Sequence, residues 1–319
     1  MKRIMLLSVI LLMNMSLFSK GIFYAVYVID NEIPNVNCAD SLFAWQEAMN
    51  KIHHYTNMKT KERVLTVGLP DSMEEWSREV VLAALDDVKP DNHDTVLFFF
   101  AGKSDSLPAD QTGKQTHSLS KQKSRYPKML LQYGTTLELE EAAAVLAEKR
   151  PGLMLVFADF YDLHGSSFSE EKSTVRANRS VVYGNYRNLF CEKRHAAVIA
   201  ASCEAGNKGE NGVFTHQFFK ALDECTISGN ASWQALLKKI SEPAGKMRNK
   251  ACWEIRAQKD FTADYNIAAG KYELPDWKDS WDENWYDYRE WYDDGGWNGE
   301  LYQNDEEYYA EDEKVNSEE

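Results

Sequence analysis

The 319-residue chain has too few cysteines to be built on disulfides. It carries five, at positions 38, 191, 203, 225 and 252, and none forms the CxxC pair that holds a metal or cycles electrons. Positive charge is also in short supply. Thirty-six Lys and Arg stand against 50 Asp and Glu, a formal charge of −14, and no segment resembles the basic face that nucleic-acid binding requires. Beyond the first residues, no stretch stays apolar for the roughly 20 residues that span a bilayer. A disulfide miniprotein, a nucleic-acid binder and an integral membrane protein are thereby set aside. What is present suits a packed interior: 44% apolar and 12% aromatic residues, in a length that holds one large core or two modest ones.

Lys2 and Arg3 precede an apolar run, Ile4 to Met13, that continues loosely to Phe18. A positive start followed by about 10–15 apolar residues has the proportions of a secretory signal peptide. Ser19 would close the cleavage site, although Leu17 is larger than the residue usually found two places earlier. Residues 1–19 are read as a signal and the mature chain as exported, to a periplasm or the cell exterior; an uncleaved anchor is the alternative. Disulfides are permitted after export, but an odd cysteine count leaves at least one thiol unpaired. The sequons at Asn178 and Asn230 count only where the host glycosylates.

Strand and helix patterns then alternate. Gly21 to Asp30 (GIFYAVYVID) reads as a buried strand, and Leu42, Trp45, Met49 and Ile52 recur at helical spacing. ERVLTVGL (62–69) reads as a second strand. Ser72-x-x-Glu75 is a capping box opening a helix to about Val88, before Pro90. Thr95 to Ala101 (TVLFFFA) is apolar on both faces, as a covered parallel strand should be. Lys103 to Pro127 is too polar to pack. Thr135-x-x-Glu138 caps a helix to Arg150, followed by buried strands at Leu153–Asp159 and His195–Ser202, with polar residues at 165–180 between them. Helices at Val213–Cys225 and Ser232–Ile240 and a short strand at Cys252–Gln258 complete the body. The alternation predicts an α/β fold, a three-layer αβα sandwich around a mostly parallel sheet. Sites in such sheets lie beyond the carboxyl ends of the strands: here Gly102-Lys103, Asp159 to His164, and Ser202-Cys203-Glu204.

Those residues carry a resemblance. DTVLFFFAGKS (94–104) resembles the strand of caspase-like cysteine peptidases that ends Ser-Gly-His-Gly and supplies the catalytic histidine. LMLVFADFYD (153–162) resembles the next strand, which ends Asp-x-Cys-His and supplies the nucleophile. AAVIAASCEAGNKGENGVFTHQFFKAL (196–222) is similar to the following strand, loop and helix, where Gly-x-Phe-Thr opens the helix, and SWQALLKKI (232–240) is similar to a late helix of that family. The resemblance implies a caspase-like domain over residues 20–270 with a roughly six-stranded sheet, no cofactor, and a peptide or protein as partner.

Both catalytic positions depart from the pattern it implies. Lys103 stands in place of the histidine and Ser104 in place of the following glycine; Tyr161 stands in place of the cysteine and Asp162 in place of the residue after it. The family chemistry pairs a thiolate nucleophile with an imidazole base. An ammonium has no lone pair to accept a proton, and a phenol is a poor and bulky nucleophile at neutral pH. The expectation is a pseudo-peptidase that binds a peptide, a peptidase or a surface partner. Lys103 and Tyr161 either share a hydrogen bond that plugs the old site or are simply tolerated at strand ends. The runner-up is an active cysteine endopeptidase using a relocated pair, Cys203 and His164. Glu204 and Glu210 would border a specificity pocket, but solvated loop charge is the plainer reading. His53 and His54 suit a helix C-terminus. His93, His117 and His195 fall in polar turns and His216 on a helix face, and no spacing suggests a metal.

The negative charge is concentrated at the C-terminal end. Between Pro275 and Glu319 there are 17 acidic and three basic residues, so the rest of the chain is balanced at 33 of each. The same segment holds five of the nine Trp and six of the 16 Tyr. Trp277, Trp281, Trp285, Tyr288 and Tyr292 would form one stripe of a helix, with acids opposite. Residues 271–319 are read as an acidic aromatic extension, partly helical and solvated beyond Gly295-Gly296. It docks on its own body, anchors a partner through its aromatics while its acids steer toward a basic surface, or serves as a sugar- or surface-binding strip. That last reading makes the protein a surface- or carbohydrate-binding accessory.

Overall fold

The strands that form are the apolar runs. In chain order they are β1 (Ile22–Asp30), β2 (Lys59–Val67), β3 (Thr95–Lys103), β4 (Met129–Leu130), β5 (Thr136–Leu137), β6 (Leu153–Tyr161), β7 (Ala196–Ala201) and β8 (Cys252–Ala257). The helices are α1 (Ala39–Thr56), α2 (Arg78–Asp87), α3 (Leu139–Glu148), α4 (Arg179–Phe190), α5 (Val213–Ile227) and α6 (Trp233–Ser241). The computed structural model describes residues 21–31, 38–67, 76–105, 124–161, 178–191, 195–207, 209, 212–228, 231–242 and 250–259. The expected signal (1–19), the Ser72–Glu75 capping box, His117, Asp162, His164, Glu210, Asn230 and the whole acidic extension lie outside them.

Six strands make one sheet in the order β2-β1-β3-β6-β7-β8. The first five run parallel, and β8 is antiparallel to β7. Successive side chains of a strand point to opposite faces, so each central strand feeds two cores. Phe23, Tyr27, Leu97, Phe99, Leu155 and Phe157 pack under α1, α4, α5 and α6. Val26, Val28, Val96, Phe98, Val156 and Ile199 pack under α2 and α3 on the other side. This is the three-layer αβα sandwich expected of the alternating pattern. Trp45 of α1 is fully buried and lies 4.9–5.9 Å, centroid to centroid, from the rings of Phe99, Phe157, Phe218 and Phe219. It locks α1 and α5 onto the centre of the sheet.

Several local expectations are corrected. α2 starts at Arg78, with Ser77 as the cap accepting from the Val80 amide. Thr135 and Glu138 do not form a capping box: Thr136 and Leu137 pair with Met129 and Leu130 in a β4–β5 hairpin, and α3 begins after Glu138, whose side chain caps nothing. The end of the polar 103–127 stretch does pack, since Tyr126 is buried in the α2–α3 core. α4 (Arg179–Phe190) arises just beyond the polar 165–180 stretch, where no element was expected. Val182, Tyr186, Leu189 and Phe190 give it a buried stripe, and the Asn178 side chain accepts from the Ser180 amide at its start. Among the described residues no helix is long and apolar enough to cross a membrane.

Candidate functional site

The strand ends named from sequence converge along one edge of the sheet. Lys103 and Tyr161 are the last paired residues of β3 and β6 and lie opposite one another. Their side chains nevertheless have separate partners. The Tyr161 phenol is buried and shares a hydrogen bond of 2.6 Å with the Ser41 hydroxyl in the first turn of α1. The Lys103 ammonium is about one-third exposed and sits 4.0 Å from a carboxylate oxygen of Asp30, at the end of β1. The plug expected from a Lys103–Tyr161 hydrogen bond is thus replaced by two independent ties. A rigid ring pointing inward meets the nearest buried hydroxyl, whereas a long alkylammonium keeps its charge near a carboxylate and water.

Behind them lies Asp159, fully buried. One of its oxygens accepts from the Thr215 amide (3.0 Å) and the Thr215 hydroxyl (2.6 Å); the other has no partner among the described residues. Thr215 is the third residue of α5, and its cap position, Gly212, is in the left-handed conformation and carries no side chain to bond the free amides. Asp159 therefore caps α5 from a different strand, where the helix dipole favours negative charge. Burial outweighs that help and pushes its carboxyl up to about 7. The same burial, foremost, then nearby Asp159 and Cys38, holds the Tyr161 phenol well above its ordinary value. It stays neutral at physiological pH and cannot attack.

The third strand end turns the other way. Ser202 ties the tip of β7 to β6, its amide donating to the Ala158 carbonyl and its hydroxyl accepting from the Phe160 amide at 2.9 Å. Cys203, expected on the functional face, is instead fully buried in the α2–α3 core, across the sheet from Tyr161. Burial pushes its thiol up to about 12, so it offers almost no thiolate. Alternation explains the miss: Cys203 follows Ala197, Ile199 and Ala201 onto their face. Glu204 is solvated and lies 3.5 Å from Arg125. Gly102 and Gly209 mark close approaches. A Cβ on Gly102 would stand 3.0 Å from the Asp30 Cβ, and one on Gly209 would stand 1.8 Å from the Phe160 carbonyl oxygen, so the post-β7 loop presses on the tip of β6. Ser104 forms an isolated antiparallel bridge with Met129.

Sequence reasoning missed four members of this constellation: Asp30, Cys38, Ser41 and Thr215. The first three border the carboxyl end of β1, a strand end not among the three singled out from the sequence. Cys38 is buried, and burial followed by the carboxylates of Asp30 and Asp159 drives its thiol upward, Lys103 opposing in part. His53 does stand in the last turn of α1, where its ring bonds the Met58 carbonyl, and His54 packs on Tyr55 and Tyr183. Among the described residues no three His, Cys, Asp or Glu side chains converge to hold a metal ion. The tie between α1 and β6 is open to measurement. Tyr161→Phe leaves the buried Ser41 hydroxyl without its partner, and the loss expected is about 1–3 kcal/mol by urea unfolding. A double-mutant cycle with Ser41→Ala should be strongly non-additive; additive losses would mean that the 2.6 Å contact contributes nothing.

The fold and its edge thus define an α/β sandwich with a largely buried polar cluster at its strand tips. No protein-family model matches this sequence, and no curated protein does. Among solved structures, the Drosophila initiator caspase Dronc is similar at 8% identity, over 74% of this chain and 80% of that one, with a TM-score of 0.36. No residue role is carried across at that level.

Proposed function

We propose that the chain is an exported caspase-like pseudo-peptidase, a protein that binds a peptide or protein partner at the inherited cleft without cleaving it. The observation that carries this reading is the state of Tyr161: at the position where the resemblance implies a thiol stands a buried, neutral phenol already bonded to Ser41. The partner position holds Lys103 paired with Asp30, an ammonium with no lone pair to act as base. The relocated pair draws no support from Cys203, whose buried thiol lies in the opposite layer. The exposed ammonium is the group best placed to meet a partner, and a carboxylate or a main-chain carbonyl is the chemistry it would take. The acidic extension is proposed as a second contact, its aromatics anchoring and its acids steering a basic surface toward the body.

The test offers the purified chain a mixed peptide library and a thiol-directed peptidase probe. No cleavage and no labelling are expected, with peptide binding weakened about tenfold or more by Lys103→Ala, the loss of one charged hydrogen bond. Cleavage that disappears in Cys203→Ala would overturn the reading. Deleting residues 275–319 should leave the body folded and reduce partner affinity; a body that no longer folds would assign the extension to intramolecular docking instead.

A further inference from the structure

The sheet sorts the five thiols into two groups. Cys38 and Cys225 are buried in the layer of α1, α4, α5 and α6, and Cys191 packs against that same layer. Cys203 and Cys252 alone occupy the layer of α2 and α3. A continuous sheet separates the groups, so within the finished fold Cys203 can meet only Cys252.

The two are already in contact. The Cys252 thiol donates to the Cys203 carbonyl at 3.0 Å, and the Cys203 thiol reaches the Asn207 carbonyl at 3.5 Å. The register places Cys252 opposite Ala201, and Cys203 is two residues further along the same face. Such diagonal neighbours on an antiparallel pair have Cα atoms about 7–8 Å apart with the Cβ atoms nearer, just beyond the roughly 4.4–6.8 Å that a disulfide spans, so the backbone must close by an ångström or so to bridge them. The bend at Ser202 and Cys203, already drawn onto Cys252 by the thiol–carbonyl contact, is where the remaining adjustment falls.

We propose that Cys203 and Cys252 form a disulfide when the chain folds in an oxidising compartment. Each thiol loses its proton, one sulfur–sulfur bond forms, and the two electrons pass to a disulfide donor that leaves as two thiols; glutathione disulfide supplies this chemistry in the laboratory. The timing follows from burial. Both thiols are driven far from ionisation once the layer closes, so exchange takes place while β8 is docking and not afterwards. The bond would staple β8, which among the described residues pairs only with β7, to the bend that carries Ser202. The staple thereby holds the loop that presses on the tip of β6, beside Tyr161. The three thiols of the other layer stay reduced, in keeping with the odd count.

The full chain, reduced and denatured, is refolded with mixed reduced and oxidised glutathione, unfolded again, alkylated and peptide-mapped. The expected product has three alkylated cysteines and one linked peptide pair containing Cys203 and Cys252, with all five modified after reduction. Its intact mass is about 2 Da below that of the reduced chain. Its thermal midpoint lies several degrees above that of the reduced chain, since the bond closes a loop through α5 and α6. Five free thiols in the refolded protein, a glutathione adduct on either cysteine, or a link from either to Cys38, Cys191 or Cys225 overturns the proposal. Cys252→Ser should leave Cys203 alkylated, and the wild-type map decides the matter even if that variant fails to fold.

Discussion

Raising the pH from about 4 to 8 is expected to lower the unfolding free energy of the body, with Asp159 and Glu62 the two largest causes. A carboxyl raised by burial from 3.8 to about 7 holds its proton more tightly in the folded chain than in the unfolded one. The stability that this proton confers is complete below the unfolded value and is lost as pH climbs through the folded value. Three units correspond to roughly 4 kcal/mol, an upper figure for a group whose charged form is helped by Thr215 and the start of α5. Asp159→Asn keeps an acceptor for Thr215 and removes the titration. The wild type should therefore exceed the variant by most near pH 4, and the gap should close toward pH 8, read by urea unfolding with tryptophan fluorescence. Parallel profiles would show that Asp159 does not titrate in this window. Glu62, buried on β2 and pushed up to about 8, acts in the same direction with its window displaced upward, so Glu62→Gln and Asp159→Asn together should flatten the profile more than either alone. A residual slope should remain from Asp94, Glu140, Glu141 and Asp223, which burial also raises.

The largest loss from a single apolar residue is expected at Trp45. Truncation to Ala removes a side chain in contact with four aromatic rings and opens a cavity between α1, α5 and the sheet, costing about 3–5 kcal/mol. Phe43 in the same helix is 58% exposed, and its truncation should move stability by less than about 0.5 kcal/mol. The indole N–H of Trp45 is buried without a hydrogen-bond partner among the described residues. Trp45→Phe therefore discards a dissatisfied donor along with some volume, and should cost well under half of the Ala change. Equal losses for Phe and Ala would show that the indole nitrogen, and not the packed surface, holds α1 in place.

The sandwich was legible because its strands are apolar on both faces. Runs such as TVLFFFA and LMLVFAD can be buried only between two helical layers, and the helices between them carry clean 3.6-residue stripes. What escaped was of two kinds. The β4–β5 hairpin consists of two-residue strands, too short for any alternation to register, and the Thr-x-x-Glu spacing beside it imitates a capping box. α4 was hidden by its polar residues, although Asn178 and the 182, 186, 189, 190 stripe carried the signal. At the site, the parallel register sets Lys103 and Tyr161 opposite one another, and they were singled out through the family resemblance. Their true partners were not, since Ser41 and Asp30 are brought to them by the crossover after β1 and by nothing in the local sequence. The error over Cys203 came from the strand-end rule alone: the period of two that found the core, carried past Ala201, puts Cys203 on the α2–α3 face.

The parallel order of the sheet has a kinetic side. Phe23 pairs with Thr95, Thr95 with Leu153 and Leu153 with Ala196, so adjoining strands are separated by 72, 58 and 43 residues of chain. Among the described residues, the two-residue hairpin aside, no sheet contact can form from neighbours in sequence. Each pairing must wait for a long loop to close before any burial rewards it, which places such chains at the slow end, on the order of milliseconds to seconds. Until then the most apolar segments of the molecule travel unpaired, and their protection from self-association rests on dilution or on a holdase.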